Sequence, residues 1–529
     1  MKRAREEEPR GIQAGESNGS SGPKLTKQQK RDRKRAEKQS QNVKQIPPEK
    51  QQSLGVSLYK RPAKLPTIPT VLPKQLDRFL VPSDASFREV MRAAYHQYSS
   101  ADSACFSQEF HTKFQRSLVG LQERGLYQYD VTQPSGLGGK LAKTFVTRCL
   151  VGQPGITYKY LGLRMFSFPW LEGEVGTNDD FITIGKLNRE LSVKTESYLT
   201  SSDCGSAKYN LTLINRCEKN DDTLKKEPTF GRDNITVSWH ADSSLKPFSS
   251  IAVYHFCPGN EQDDSWKIAL RVKINAEGPQ AGKQHSAKDE LEEKIPPVAI
   301  PLPSGTTYFL LDEFNHHHQH CVLAGKCGRY ASTHRVSKEE GHTYHSIRDR
   351  VLSAIRAGKN LNERTIRLQQ VCAAELEFEW IRQFFIQGQS HHDSHIWWSR
   401  NDGPIQEFLQ LWRNLEEITL NQVQILIEYS SLINPLQEQS KEKRKKDAKK
   451  RRHATEVTLS SFDNMILHLK DKATKRKHWH ERESDSIFTT LPKMQRPMTV
   501  PFPTLDHPLS HDTLDSIIEK LERESSTII

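Results

Sequence analysis

The spacing of apolar residues changes once along this chain, near residue 340, and that change calls for two different kinds of core. Before it, the pattern is that of strands. "SWKIALRVKI" (265–274) alternates Trp266, Ile268, Leu270, Val272 and Ile274 against mostly polar neighbours, as a half-buried strand does. "KYNLTLIN" (208–215), "SIAVYHF" (250–256) and "TTYFLLDEF" (306–314) read as further strands, and "FREVMRAAYHQY" (87–98) reads as a helix. Many short strands joined by loops predict a sandwich or open barrel, not a doubly wound sheet. "NAEGPQAGKQHSAKDELEEKIPP" (275–297) reads as a long mobile insertion between strands.

After residue 340 the period is helical. "AAELEFEWIRQFF" (373–385) sets Leu376, Trp380, Ile381, Phe384 and Phe385 on one stripe, with Gly388 as a stop. "PIQEFLQLWRNLEEI" (404–418) opens with Pro404 in a first turn and repeats Phe408, Leu411, Trp412 and Leu415. "DTLDSIIEKLERE" (512–524) is a short amphipathic helix. These aromatic stripes are expected to be core. "SKEKRKKDAKKRRH" (440–453) reads as a basic stretch between helices: a solvated loop, a second localisation signal or an RNA contact. The expected class is thus α+β, with a β-rich part and then an all-α part.

The chain's 529 residues have room for two or three domains. A formal net charge of +12 favours polyanionic partners such as nucleic acid, although much of it lies in runs. Eight cysteines with no CxxC pair argue against a disulfide framework or a zinc ribbon. No signal-peptide core or membrane-length apolar run is visible, so the expectation is a soluble intracellular protein with no membrane partner. Residues 1–55 read as a disordered tail carrying "KLTKQQKRDRKRAEKQ" (24–39), a basic cluster of nuclear-localisation type. "PAKLPTIPTVLP" (62–73) reads as an extended entry to the folded part. The expected boundaries are 1–55 for the tail, 56–338 for the β-rich domain, and 339–529 for the helical domain with a basic linker near 437–456.

Within the β-rich part, "TVSWHADSSL" (236–245) ends a strand-like alternation. Ile235, Val237 and Trp239 fall on one face, and Thr236, Ser238, His240 and Asp242 on the other. A lone HxD is more often a hydrogen-bonded strand end than a metal site. "LDEFNHHHQHCVLAG" (311–325) adds four histidines at the end of another strand. Two histidines and a carboxylate on adjacent strands make the facial triad of non-haem Fe(II) oxygenases, which leaves positions open for cosubstrate and O2. The rival reading is zinc, held by several of His316, His317, His318 and His320 with Cys321 or Cys327, in a spacing that fits no common structural zinc pattern. "GRYASTHRV" (328–336) then places Arg329 and Arg335 on one face of an extended segment, a natural fork for a dicarboxylate such as 2-oxoglutarate.

HxD, a distant histidine and Arg-x5-Arg together resemble the AlkB-type Fe(II)/2-oxoglutarate nucleic-acid demethylases. "PGITYKYLGLR" (154–164), "YNLTLIN" (209–215), "VSWHAD" (237–242), "HQHCVLAG" (318–325), "STHRV" (332–336) and "EFEWIRQF" (377–384) are similar to segments of one branch of that family, from about residue 75 to the C-terminus. The resemblance implies a double-stranded β-helix (jelly roll) catalytic domain followed by a helical C-terminal domain. It implies His240, Asp242 and His320 as iron ligands. It implies Arg329, helped by Tyr308, on the distal carboxylate of 2-oxoglutarate, with Arg335 and Asn215 at the end that chelates iron. It further implies a methylated base held between Tyr160 and the His240 ring, with Arg148, Tyr158, Leu161, Ser238 and Trp239 around it. The residues of "TYKYLGLR" agree in kind: Tyr158 and Tyr160 share a face near basic residues, the aromatic-plus-cation mixture that stacks flipped bases.

The implied activity is oxidative demethylation of N-methylated bases in RNA, with release of formaldehyde. N6-methyladenosine comes first, then cap-adjacent N6,2′-O-dimethyladenosine and single-stranded 3-methyluracil or 3-methylthymine. Fe(II), 2-oxoglutarate and O2 would be needed, with ascorbate as reductant. The partner would be single-stranded methylated RNA, with DNA as a second candidate, and the location the nucleus with shuttling to the cytoplasm left open. Three departures stand out: Ala241 where the family usually has a second histidine, Ser243 where an acidic residue is usual, and Ala331 at a serine position. Losing a hydrogen bond to a charged group costs roughly 1.5–3 kcal/mol, so weaker cosubstrate binding or altered base preference is expected rather than a dead enzyme. The competing readings are an oxygenase of protein side chains, a zinc hydrolase, and a non-catalytic RNA-binding or scaffold protein with a degenerate iron site. Oligomeric state is left open.

Overall fold

Two β-sheets face each other and enclose the core that carries the site. The computed structural model describes residues 65–70, 77–133, 140–199, 206–219, 224–259, 264–273, 285–338, 343–388, 396–436, 444–500, 509 and 511–528, all within one unit, Ala63–Ile529. The basic N-terminal cluster lies outside the described residues. In spatial order the larger sheet runs Tyr98–Ala101, Thr307–Leu310, Ile251–Phe256, Arg329–Arg335, Leu211–Cys217, Thr147–Gly152 and Phe168–Pro169. The smaller runs Val298–Pro301, Lys267–Val272, His318–Leu323, Asn234–His240 and Lys225–Lys226. From residue 234 onward the chain passes back and forth between the sheets, which is the winding of a jelly roll.

Alternation explains the layers. Val253, Leu270, Tyr308, Val322 and Ala331 point into the space between the sheets and pack together. Their neighbours Ala252, Tyr254, Phe309 and Tyr330 point outward, where the helices Gln108–Glu123 and Asp179–Glu196 cover them with Phe114, Leu118, Phe181 and Ile184. Ser107 and Asn178 cap those helices, their side-chain oxygens accepting from the amides of Phe110 (3.1 Å) and Phe181 (2.9 Å). Gly185 lets the second helix approach closely, since a Cβ there would lie 2.9 Å from Trp170 Cγ.

The helical part comprises Tyr344–Arg356, Glu363–Ala374, a π-helical turn Glu375–Ile381, Arg382–Ile386, Pro404–Leu436, Arg444–Glu483 and His511–Ile528. The aromatic stripes are core, as expected: Leu376, Trp380, Ile381, Phe384, Phe408, Trp412 and Leu415 are buried together. Gly388 ends its helix at φ +88°, and a Cβ there would meet the Arg496 carbonyl at 2.3 Å.

Three expectations need correction. The basic stretch read as a linker is not a loop from residue 444 on; it begins the helix Arg444–Glu483. Lys, Arg and Ala are strong helix formers and no Gly or Pro interrupts the run, so propensity outweighs like-charge repulsion. The insertion 275–297 contains the helix His285–Lys294, whose Leu291 joins the inner core along with Ile295 just beyond it; residues 274–284 lie outside the described set. Finally, Ile235, Val237 and Trp239 do not share a face. The pairing of this strand with His318–Leu323 shifts register on both sides of Val237, so Val237 turns inward while Ile235 and Trp239 pack on the outer face. Among the described residues no helix is long and apolar enough to cross a membrane.

Candidate active site

The second register shift also delivers the metal-binding geometry. It sets His240 directly opposite His320 across the sheet, and with Asp242 two residues on, ligand atoms of all three lie within 4.8 Å of one another. Among the described residues this is the only group of three or more His, Cys, Asp or Glu side chains so gathered. The His240 ring donates from Nδ1 to the Ser238 carbonyl (2.7 Å), which turns Nε2 toward the site, 3.4 Å from Asp242 Oδ1. Burial, with His240 beside it, pushes His320 down to about 3, so its ring is neutral and able to ligate. Burial alone would raise the Asp242 pKa; the Arg335 guanidinium overrides it and holds the carboxyl well below the usual carboxylate range.

Two of the other histidines of the cluster are engaged elsewhere, and His317 is buried with neither ring nitrogen hydrogen-bonded. His318 bonds the carbonyls of Phe314 (3.1 Å) and Ala94 (2.8 Å), and His316 accepts from the Phe248 amide (3.4 Å). Cys321 faces the outer cluster. A short helix Phe314–His317 precedes the strand, so His320 lies inside a strand rather than at the end of the preceding one. Sequence reading missed Asn315: its side-chain oxygen accepts from the Asp242 amide (2.8 Å) and its NH2 donates to the Asp242 carbonyl (2.7 Å). That two-point clamp fixes the Asp242 turn to the segment leading into His320. Nothing local in the sequence signals a pairing 73 residues apart.

Arg329 and Arg335 sit on one buried strand, on the face that looks into the jelly roll. Arg335 donates from Nε to Asp242 Oδ2 (2.8 Å) and lies 4.9 Å from the Tyr158 ring centroid. Arg329 donates from Nε to His255 Nδ1 (2.6 Å) and lies 5.4 Å from the Trp266 ring centroid. Each keeps one buried guanidinium nitrogen without a hydrogen-bond partner, Nη2 on Arg329 and Nη1 on Arg335. Orphaned buried donors are costly, and two of them beside a triad fit an anionic ligand with two carboxylates. Tyr308 is buried beside Arg329; burial pushes its hydroxyl up to about 12, with the arginine's charge opposing, so it stays protonated as a donor. Asn215 stands opposite Ala331 in register, and its side-chain oxygen accepts from Arg148 Nε (3.1 Å).

Arg148 is the hub of the expected base slot. Besides Asn215 it donates to Asp130 (3.2 Å) and to the Tyr160 hydroxyl (3.3 Å), with its guanidinium 4.3 Å from the Tyr160 ring centroid. Asp130, another residue missed in the sequence, is buried with it. Tyr158 and Tyr160 lie on one face of the hairpin Thr157–Tyr160/Leu163–Phe166, Tyr158 buried and Tyr160 half-buried. Leu161 sits exposed at the hairpin tip at φ +44°, and Ser238 is exposed on its strand. Trp239 is a correction: its ring turns to the opposite sheet face from His240, donates to Glu227 (2.6 Å) and packs with the Phe79 cluster. Only its backbone can line the slot.

A jelly roll with a His-x-Asp…His group at its mouth and buried arginines aimed inward defines the 2-oxoglutarate-dependent dioxygenase class. Comparison with known proteins gives the branch. The FTO catalytic domain model matches residues 85–338 and the FTO C-terminal domain model residues 342–523, so the chain belongs to the FTO family. The Alpha-ketoglutarate-dependent dioxygenase FTO of Xenopus laevis is 27% identical over 501 residues, covering 84% of this chain and 92% of that protein. A solved structure, an oxidoreductase of the 2OG-Fe(II) oxygenase family from Burkholderia pseudomallei, is 12% identical at a TM-score of 0.28, covering 49% of this chain and 95% of that one.

Proposed function

We propose that this dioxygenase demethylates N-methylated bases in RNA, chiefly N6-methyladenosine and cap-adjacent N6,2′-O-dimethyladenosine, and 3-methyluracil or 3-methylthymine in single strands. The observation that carries the reading is one chain of contacts: Arg335 touches both Asp242 of the triad and the Tyr158 ring of the aromatic hairpin. A metal held by the triad and a base in the aromatic slot would thereby share a wall. A flat base entering between Tyr160 and His240 would bring an N-methyl group to the metal's open side.

His240, Asp242 and His320 would hold Fe(II). Arg329 with Tyr308 would take the distal carboxylate of 2-oxoglutarate, and Arg335 with Asn215 the other end. The chemistry iron supplies when bound is oxidation by O2, coupled to conversion of 2-oxoglutarate to succinate and CO2; the hydroxylated methyl then leaves as formaldehyde, and ascorbate keeps the metal ferrous. The protein's own part is positioning and the exclusion of water. No acid–base pair is required, because a methyl C–H bond needs an oxidant rather than a proton shuttle. Arg148 and Tyr160 offer a hydrogen-bonding edge and a stacking face, which suits an unpaired or flipped base and hence a single strand. DNA of the same form is a second candidate. The basic run at 24–39 supports a nuclear location, with shuttling to the cytoplasm left to experiment.

The test is nucleoside mass spectrometry on a methylated RNA oligonucleotide incubated with the protein, Fe(II), 2-oxoglutarate and ascorbate. The expected result is conversion of N6-methyladenosine to adenosine, lost without 2-oxoglutarate and in a His240→Ala/Asp242→Ala variant. No conversion of any of the named bases would overturn the reading and favour a scaffold protein with a silent site.

A further inference from the structure

Of the three buried guanidiniums around the site, Arg148 pairs with Asp130 and Arg335 with Asp242. Arg329 makes no ion pair among the described residues. The group that holds it is His255, fully buried on the strand Ile251–Phe256. Arg329 donates to His255 Nδ1 at 2.6 Å, so that nitrogen carries a lone pair and the ring's proton sits on Nε2. Nε2 lies 3.5 Å from Cys257 Sγ. Burial, reinforced by the charge of Arg329, holds the ring neutral by pushing its pKa well below the ordinary value. Directly across the sheet from His255 is Ala331, on the same inward face. The small side chain there leaves room for the imidazole and itself offers no hydrogen bond.

The choice of acceptor has an electrostatic consequence. A carboxylate on Arg329 would orient it and also cancel its charge. A neutral imidazole orients it and leaves the charge whole, beside an unpartnered Nη2. We infer that His255 is a positioning residue that aims Arg329 at the distal carboxylate of 2-oxoglutarate without neutralising it, supplying the orientation that Ala331 cannot. This rests on the reading of Arg329 given above.

The pair His255→Asn and His255→Asp tests it, because both side chains place an oxygen near the position of Nδ1 and only one is charged. The readout is the Kd of 2-oxoglutarate for the full chain loaded with Mn(II), by calorimetry. The Asn variant is expected to bind within about threefold of wild type. The Asp variant should weaken binding about 30-fold or more, as for loss of a desolvated charge pair. Asp binding as tightly as wild type, or Asn and Asp weakening it alike, would overturn the inference. Nitrogen-15 NMR of the wild-type histidines gives a check that needs no variant: His255 Nδ1 is expected unprotonated, and a protonated Nδ1 would overturn the proposal. Wild type that does not bind 2-oxoglutarate at all would instead overturn the reading of Arg329, and the inference with it.

Discussion

Arg335 is where the separate demands on this site meet. Its Nε serves Asp242, its face meets Tyr158, and its Nη1 stays unpaired for a ligand. Only a planar fork can do all three. Arg335→Lys should therefore raise the KM for 2-oxoglutarate about 10-fold or more, the worth of one charge-assisted hydrogen bond. Unchanged KM in that variant would remove Arg335 from cosubstrate binding. At this scale much of the site is legible in sequence. His240 with Asp242, and Arg329 with Arg335, announce themselves by residue type and spacing because each pair lies on a single extended segment. His320 needed the resemblance to be picked from its cluster. Asn315, His255 and Asp130 were not legible, since their partners come from strands or turns far away in sequence.

Among elements, the strand Asn234–His240 and the π-helical turn Glu375–Ile381 both depart from regular period where it matters. Bulges cannot be read from an alternation they interrupt, which is why the sequence pattern alone puts Val237 and Trp239 on one face. The π-helical turn carries Glu377, fully buried, whose carboxylate accepts from Arg476 through both oxygens (2.8 Å each) and from the Trp412 indole (3.1 Å). Burial would raise the Glu377 pKa, but Arg476, Arg382 and Lys472 together hold it below the usual carboxylate range, at about 2. A carboxyl depressed in the folded state contributes stability that is present above its unfolded value and lost as pH falls through the folded one. The helical domain should accordingly lose stability as the pH drops from about 4.5 toward about 2. Glu377→Gln leaves Arg476 short of one of its two buried anions and should cost roughly 3–5 kcal/mol in urea unfolding at neutral pH, with a flatter acid limb. A variant as stable as wild type would show that the network adds nothing.

For the whole molecule, the helical part is a wall of the site's own scaffold. Phe378, Ile386, Trp479, Phe488 and Leu491 pack against Leu150, Tyr158, Leu163, Met165, Leu211 and Leu213 behind the proposed base slot. Polar ties reinforce this: Arg164 donates to the Glu379 carbonyl (2.7 Å) and Gln383 to the Gly162 carbonyl (2.8 Å), both on the slot hairpin's side. The period change showed that a second, helical core exists; it could not show that this core buttresses the hairpin, because periodicity gives a face and not its partner. Trp479→Ala should cost about 3–5 kcal/mol and speed amide exchange across Thr157–Phe166. Unchanged exchange there would mean that the hairpin stands alone.

In the proposed reaction one site joins 2-oxoglutarate turnover to a methylated base. The most direct measurement follows succinate from isotopically labelled 2-oxoglutarate and formaldehyde in the same reaction, with methylated and unmethylated RNA side by side. Methylated RNA is expected to stimulate succinate production, with formaldehyde appearing in equimolar amount. Succinate formed at the same rate with either RNA, and without formaldehyde, would contradict it.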